Sequence, residues 1–516
     1  MQKFGMTSFH LNDQNLQNVK VAILDNGFAD YAAEKNLLPP STQVVELTEI
    51  APAPTKHGLG MAQIVWALTG KSTAGPSFYL INTNGFSNFK AAVQFVIDKK
   101  IDIVLYSQVW PFGGNLDGSG FINDLVTKAV RSGVIWINAA GNYGNMVYNG
   151  KIKETRVPTP PSPSSAPAPF LFFRAADFLR FDNKFDEGSA TITLSWSDFT
   201  SDENYNTKKD LDLLVYDDSG NLVTSSTLIQ RGEAPGPGKD PLLSSHAREV
   251  ATLEDLDKGI YHIKVKMNSN NFVPQDRFRI VIKEEREGTI SFLDHTSDGE
   301  IMPPADNPFA ITVGEAEKIS SVGPTADGRP KPDTLIQDAR IAFSNGLEFR
   351  GSSNAAAIFA GIVTVMKAFN SGVRIEHLRT LCKSAQQPTA NASDADLEPL
   401  IYDPVTSVPR LGQLMPVGSK VLLHRLTHHY VILTREDPFS LEAPRRANMR
   451  RSLDDDILAY DLMRERWLLI PKVMRSSLKT PLVEFRKMAL APGNQGYTHW
   501  KTPTPAELNS VVRRLH

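Results

Sequence analysis

Short apolar runs alternate with amphipathic stretches along the first 150 residues of the chain. Such runs are typical of buried strands, and apolar positions spaced three or four residues apart are typical of helices. The predicted strands are residues 19–24, 78–81, 101–106 and 134–140, and the predicted helices are residues 89–97 and 121–130. Because strand and helix alternate, we expect an α/β fold with a doubly wound, mostly parallel sheet.

The pattern changes after residues 151–169, a segment rich in proline and serine that we interpret as a linker or exposed loop. Residues 170–290 then show short strands separated by turn signals, with no convincing helix. The predicted strands are residues 190–196, 211–216, 260–267 and 278–282. This pattern favours an all-β sandwich inserted into the α/β domain.

The α/β pattern returns with a predicted strand at residues 310–313, so residues 291–400 are expected to complete the domain begun in residues 1–150. Residues 401–516 form a further region, expected to be a small mixed domain with a helix at residues 453–469. From Arg410 onward there are 18 Lys and Arg against 10 Asp and Glu, a net charge of +8 that leaves −10 for the rest. This basic region either binds an acidic partner or presents a solvated charged face.

Candidate chemistry begins with two serines that stand between a glycine and a run of small residues, at Gly351-Ser352-Ser353-Asn354. The small and apolar residues that follow predict a closely packed helix, with Ser353 at its N-terminus. Free backbone N–H groups and the helix dipole there stabilise negative charge on a nearby oxygen. The stretch fits either an activated nucleophile or an ordinary capping serine before a buried helix.

Three other polar residues lie at the ends of predicted elements. Asp25 follows the first strand, His57 precedes a helical pattern, and Asn142 lies between glycines after the strand at 134–140. Taken singly, they are equally typical of an Asx-turn, a surface or capping histidine and a turn former. Together with Ser353 they supply an orienting carboxylate, a general base, a nucleophile and an oxyanion donor, which is the set that acyl transfer needs.

Five motifs in the same order resemble those of the subtilisin-like serine protease (subtilase) family. Residues 24–27 (Leu-Asp-Asn-Gly) resemble its aspartate motif, and residues 57–59 (His-Gly-Leu) resemble its histidine motif. Residues 139–142 (Ala-Ala-Gly-Asn) match its asparagine motif in full. Residues 351–357 resemble its nucleophile motif, and residues 321–333 closely match its Pro- and Gly-rich loop. The aspartate, histidine, serine order is also that of subtilisin.

The resemblance implies a catalytic triad of Asp25, His57 and Ser353, with Asn142 in the oxyanion hole. It also implies that substrate binds along Ser107, Gln108 and Val109, in place of the family's Ser-Leu-Gly edge, and along Ala140 and Gly141. Four further positions depart from the family motifs without removing a proton-transfer group: Asn26, Leu59, Asn354 and Ala357.

The implied function is that of a serine endopeptidase of bacterial type, acting on a protein or peptide. Two alternatives stay open. One is a catalytically inactive or latent protease-fold scaffold, which binds a regulatory protein partner through the sandwich or the basic C-terminal region. The other keeps the triad but hydrolyses an ester or transfers an acyl group, since a fold does not fix the substrate.

Composition limits the setting in which this chemistry takes place. With 516 residues, 41% hydrophobic and 22% charged, the chain is expected to fold into two to four soluble domains. A net charge of −2 gives no case for nucleic-acid binding, and no apolar run is long enough to predict a membrane span. The single cysteine, Cys382, and the polar start without a signal-peptide pattern predict a cytoplasmic protein.

Two further expectations concern cofactors and processing. No cofactor is required, and structural calcium is a family-level possibility without a clear ligand cluster; Asp210 and Asp212 fit an edge strand better than a calcium site. Because Asp25 lies close to Met1, we expect no N-terminal propeptide domain and therefore control by cell compartment or by a partner.

Overall fold

The computed structural model describes residues 16–69, 75–152, 170–173, 176–343 and 348–386, and four strands between residues 420 and 470. The first α/β segment contains β1 (Lys20–Asp25), α1 (Tyr31–Glu34), a 3₁₀ turn (Lys35–Leu37), β2 (Gln43–Val45), α2 (His57–Leu68), β3 (Ser77–Asn82), α3 (Phe86–Asp98), β4 (Ile103–Tyr106), α4 (Phe121–Arg131) and β5 (Ile135–Ala139).

The second part of the chain is all-β and is followed by a return to the α/β pattern. Its strands are β6 (Val147–Lys151), β7 (Leu179–Asn183), β8 (Gly188–Trp196), β9 (Leu211–Asp217), β10 (Leu222–Ser226), β11 (Arg248–Leu256), β12 (Gly259–Met267), β13 (Arg277–Glu284) and β14 (Ile290–Phe292). Then follow β15 (Ile311–Glu315), β16 (Thr334–Ile336), β17 (Ile341–Ala342), β18 (Glu348–Phe349), α5 (Ser352–Phe369) and α6 (Ile375–Gln386).

Seven parallel strands form the central sheet, in the order β16-β15-β5-β4-β1-β3-β2. Strand β1 is in the interior, with Asp25 opposite Asn82 on β3 and Leu24 opposite Tyr106 on β4. The chain proceeds from β1 to β2 and β3 on one side and to β4 and β5 on the other. The predicted doubly wound α/β sheet is therefore confirmed, and its topological switch point lies between β1 and β4, where such sheets place their sites.

Helices α2 and α5 both pack against the central sheet, and they pack closely against each other. A Cβ added at Gly361 of α5 would lie 2.8 Å from Cδ1 and 2.9 Å from Cβ of Leu68 on α2. Helix α5 is long and apolar enough to be a candidate membrane span, but 83% of it is buried inside the protein. Its apolar residues therefore form part of the core of the α/β domain.

The β-rich region consists of two antiparallel sheets between β5 and β15. One has the order β10-β9-β12-β7-β14 and the other the order β11-β8-β13-β6. Large buried side chains, among them Phe181, Trp196 and Phe278, fill its interior. The predicted all-β insertion is confirmed; its strands begin at Val147, ahead of residue 170, because β6 pairs with β13. Residues 153–169 of the predicted linker lie outside the described residues.

Strands β19 (Lys420–His424), β20 (His429–Leu433), β21 (Ile457–Asp461) and β22 (Arg466–Ile470) form an antiparallel sheet in that order. The predicted helix at 453–469 is wrong. The segment contains two runs rich in strand-forming residues, and the backbone of Asp461 pairs with Arg466 across a short connection. The arginines of residues 445–451, on which the acidic-partner hypothesis rests, lie outside the described residues.

Replacing Gly361 with valine tests the contact between the two central helices. The new side chain would overlap Leu68, so we expect the free energy of unfolding to fall by about 1–3 kcal/mol. Gly236→Val is the control, since a Cβ there meets nothing within 4 Å; it should change stability by less than about 0.5 kcal/mol. Urea unfolding measures both, and equal effects of the two variants would contradict the packing described.

Candidate active site

The carboxylate of Asp25 is buried at the carboxyl end of β1. Its Oδ1 accepts a hydrogen bond of 2.9 Å from the backbone N–H of Asn26 and a longer one of 3.5 Å from Nε2 of Gln108. Its Oδ2 lies 2.7 Å from Nδ1 of His57. The buried charge is thus held by two neutral donors and one imidazole, which fixes the orientation of His57.

His57 is the first residue of helix α2, and the glycine that follows it brings the helix close to β1. A Cβ at Gly58 would lie 2.6 Å from Cβ of Asp25 and 2.5 Å from Cε1 of Phe28. Any larger residue would push the histidine away from the carboxylate. The His57 side chain keeps 29% of its surface exposed, so a substrate can reach its free ring nitrogen.

Burial lowers the pKa of His57, but the charge of Asp25 and its hydrogen bond raise it, and the net effect is a pKa above the ordinary value. A base of raised pKa accepts a proton more readily. The contact with Asp25 therefore strengthens His57 as a general base as well as positioning it.

Ser353 lies in the first turn of helix α5, behind the sharp turn made by Gly351. Gly351 has φ of 104°, a conformation that favours glycine, and a Cβ there would lie 2.7 Å from Nδ2 of Asn142. The hydroxyl of Ser353 donates to the backbone carbonyl of Ser107 at 3.2 Å. Within the described residues it makes no hydrogen bond to His57.

Asn142 is held by the other serine of the pair. Its Oδ1 accepts from the backbone N–H of Ser352 at 3.0 Å and from the Ser352 hydroxyl at 2.9 Å. Because a backbone N–H can only donate, the acceptor must be the amide oxygen, and Nδ2 is left as a donor on the other side. The Ser352 hydroxyl also accepts from the N–H of Gly141 at 3.0 Å. These hydrogen bonds fix the orientation of the Asn142 amide close to the start of α5; its role as an oxyanion donor stays a prediction.

The expected substrate-binding edge follows β4. The carbonyl of Gln108 accepts from Nδ2 of Asn138 at 3.1 Å, which ties the edge to β5. Val109 packs on a small apolar cluster that includes Ala140. The side chain of Gln108 reaches Asp25, a contact that the sequence did not indicate. Substrate binding by these residues stays a prediction.

Three other side chains support the site and were not assigned a role from the sequence. Nδ2 of Asn354 donates to the carbonyls of Ala339 and Phe349, at 2.9 and 2.7 Å, so the residue after Ser353 anchors the helix start to the preceding loop. The Ser321 hydroxyl accepts from the N–H of Tyr143 at 3.1 Å. The third is Ser352, already described. Ser321 and Ser352 lie inside the motifs quoted above, and this position was the sign in the sequence that they belong near the site.

No group of three or more His, Cys, Asp or Glu side chains among the described residues could hold a metal ion. The two acids considered for calcium have protein partners instead. Asp212 lies 3.3 Å from Nζ of Lys266, and Asp210 accepts from the side-chain amide of Asn268 at 3.4 Å.

No protein-family model matches the sequence, and no curated protein matches it. Some solved structures resemble the chain, at low sequence identity. The CspB protease of Clostridium perfringens is 15% identical with a TM-score of 0.47, covering 78% of this chain and 92% of its own. MycP1 from Mycobacterium smegmatis is 12% identical with a TM-score of 0.29, covering 77% of each chain.

The psychrophilic subtilisin-like protease Apa1 of Pseudoalteromonas sp. AS-11 is 12% identical with a TM-score of 0.30, over 80% of this chain and 94% of its own. In fold, the chain is similar to subtilisin-like proteases. At such low identity these structures assign no role to any residue of this chain, and the roles proposed below are argued from the contacts described above.

The pKa of His57 tests the contact between His57 and Asp25. We expect an NMR titration midpoint above about 6.5. Asp25→Asn should move the midpoint below that value, because burial then acts without the opposing charge. Protonated His57 stabilises the folded chain at pH below about 6.5, and this contribution is lost as pH rises through the raised folded pKa. Asp240→Asn, an exposed change, is the control; equal midpoints in both variants would refute the coupling.

Proposed function

We propose that the chain is a serine endopeptidase that hydrolyses peptide bonds through an acyl-enzyme on Ser353. The observation that carries this proposal is the 2.7 Å contact between buried Asp25 and His57, placed at the switch point of the sheet. Ser353 at the N-terminus of α5 and the oriented amide of Asn142 complete the set of groups required. A polypeptide is the substrate, and no metal or cofactor is needed, because these side chains supply nucleophile, base and oxyanion donors.

The proposed reaction uses each group in turn. His57 takes the proton of the Ser353 hydroxyl as the oxygen attacks the scissile carbonyl, and it then passes that proton to the leaving amine. Asp25 holds the tautomer of His57 and stabilises the imidazolium. Nδ2 of Asn142 and the backbone N–H of Ser353 bind the oxyanion of the tetrahedral intermediate. Water repeats the sequence on the acyl-enzyme and releases the acid.

A second candidate function is a latent or inactive protease-fold scaffold that binds a protein partner. It is favoured by one observation, the hydrogen bond of the Ser353 hydroxyl to the carbonyl of Ser107 instead of to His57. For catalysis the hydroxyl must turn toward the histidine, and a scaffold needs no such movement. Catalytic hydrogen bonds are often loose before substrate binds, so the first candidate is preferred.

We also propose that the protein acts in the cytoplasm. The described part of the chain holds its single cysteine, Cys382, as a buried free thiol, and burial raises the pKa of that thiol. A thiol of this kind is unreactive and needs no oxidising compartment.

A fluorophosphonate probe tests the nucleophile directly. The probe should modify Ser353 alone, and Ser353→Ala should lose both labelling and nearly all peptide hydrolysis while keeping its fold. Ser201→Ala, on the exposed surface of the sandwich, should keep both. Mass spectrometry locates the modified residue. Absence of labelling in folded protein would overturn the endopeptidase and favour the scaffold.

Asn142→Asp tests the oxyanion hole while keeping an oxygen acceptor for Ser352. The substitution removes the Nδ2 donor and places negative charge near the developing oxyanion. We expect kcat for a chromogenic peptide to fall by about 100- to 1000-fold or more, with little change in KM. Steady-state kinetics measure both values. A loss confined to KM would indicate a binding role and contradict the assignment.

A further inference from the structure

A cleft of about 870 Å³ separates the outer faces of α3 and α4 from two loops of the inserted sandwich. The sandwich contributes Glu203 and Asn204 from one loop, and His246 and Arg248 at the start of β11. The chain that leaves the proposed active site at Ser107 enters this cleft three residues later, at Trp110. The cleft is therefore built jointly by the α/β domain and the insertion, and it is joined to the site by a short run of chain.

One wall of the cleft is aromatic. Phe86 lies edge-on to Phe121, with ring centroids 4.9 Å apart, and edge-on to Trp110 at 6.5 Å. Trp110 in turn meets Phe112 at 5.8 Å. Phe121 is buried, but Phe86, Trp110 and Phe112 are partly exposed, and rings held in this way offer apolar area to a bulky side chain at little cost in conformational entropy.

The charged residues of the cleft are mostly basic. Lys90 is paired with Glu203, and Lys128 donates to Oε1 of Gln94 at 3.0 Å, while Nε2 of the same Gln94 donates to Asp98 at 2.8 Å. Arg248 lies with its guanidinium 4.0 Å from the ring centroid of Phe112. Neither Lys128 nor Arg248 makes an ion pair with a residue that the structure describes.

Arg248 is notable because it is half-buried and unpaired. Its guanidinium makes no ion pair and no hydrogen bond to the described part of the chain. The neighbouring Glu249 points to the other side of β11, where it accepts from Nε2 of Gln230 at 2.6 Å and from the Ser226 hydroxyl. Burial lowers the pKa of Arg248, although the charge of Glu249 opposes this. A partly desolvated cation facing a cleft is best satisfied by an anion from outside.

We propose that this cleft binds an acidic segment of a polypeptide, with a bulky apolar side chain against the aromatic wall and carboxylates on Arg248 and Lys128. The charge complementarity and the aromatic wall are properties of the cleft itself. The choice of a polypeptide as ligand rests on the proposed function and on the direct run of chain from Ser107 to Trp110. The insertion thus contributes recognition that the α/β domain alone would not have.

Binding is measured on the full chain carrying Ser353→Ala, so that the peptide is not cleaved and catalysis plays no part. The probe is a fluorescein-labelled peptide, Gly-Ser-Asp-Glu-Phe-Glu-Asp-Ser-Gly, and its control replaces Asp and Glu with Asn and Gln. Fluorescence anisotropy at low ionic strength should give a Kd at least about tenfold lower for the acidic peptide.

Arg248→Met keeps the apolar stem on Phe112 and removes the charge, and it should weaken acidic-peptide binding by about tenfold. Arg231→Met is the matched control, an exposed sandwich arginine 3.2 Å from Glu233, and it should leave Kd unchanged. If Arg248→Met fails to fold, Lys128→Met removes the other cleft charge, on α4, and it should also weaken binding of the acidic peptide.

Equal affinity for the two peptides, or equal Kd values for Arg248→Met and Arg231→Met, would overturn the proposal. Labelling of Ser353 in the unaltered chain reports on the proposed function separately. Failure of the cleft proposal is therefore distinguishable from failure of the proposed catalysis.

Discussion

The arrangement depends on one buried charge, the carboxylate of Asp25 at the end of the interior strand β1. A buried carboxylate is costly unless hydrogen-bond donors surround it, and here Asn26, His57 and Gln108 provide them. Each donor comes from a different segment, so the charge constrains the start of α2 and the end of β4 together. Because glycine at position 58 has no side chain, the start of α2 can lie this close to Asp25.

A second constraint joins two parts of the chain that the sandwich separates. Asn142 follows β5 and Ser352 begins α5, yet their hydrogen bonds place them side by side. The insertion is compatible with this because β5 and β15 are parallel neighbours in the sheet, so the chain returns from the insertion beside the strand that it left. Buried Glu300 adds a link near that point, since its carboxylate accepts from the N–H groups of Asn145 and Val322 at 2.6 and 2.7 Å.

The sequence predicted the parallel sheet well because fully buried strands leave uninterrupted apolar runs, as at residues 21–24. It predicted the insertion but not its first strand, since Val147–Lys151 becomes recognisable as a sandwich strand only through its pairing with β13. The helix expected at 453–469 was wrong because short apolar runs fit helix and strand alike. The contact of Gln108 with Asp25 was not predictable, because it depends on the register in which β1 and β4 pair and on the rotamer of Gln108.

The resting position of Ser353 bears on how the proposed site would work. Its hydroxyl gives up one neutral hydrogen bond to the Ser107 carbonyl when it turns to His57, a net cost of about 1 kcal/mol. An oxyanion donor contributes about 3–4 kcal/mol to the transition state, so the rotation is small beside the stabilisation it permits. A polypeptide backbone laid along residues 107–109 would also bring N–H groups to that same carbonyl. Substrate binding at the predicted edge would then release the nucleophile by taking its acceptor.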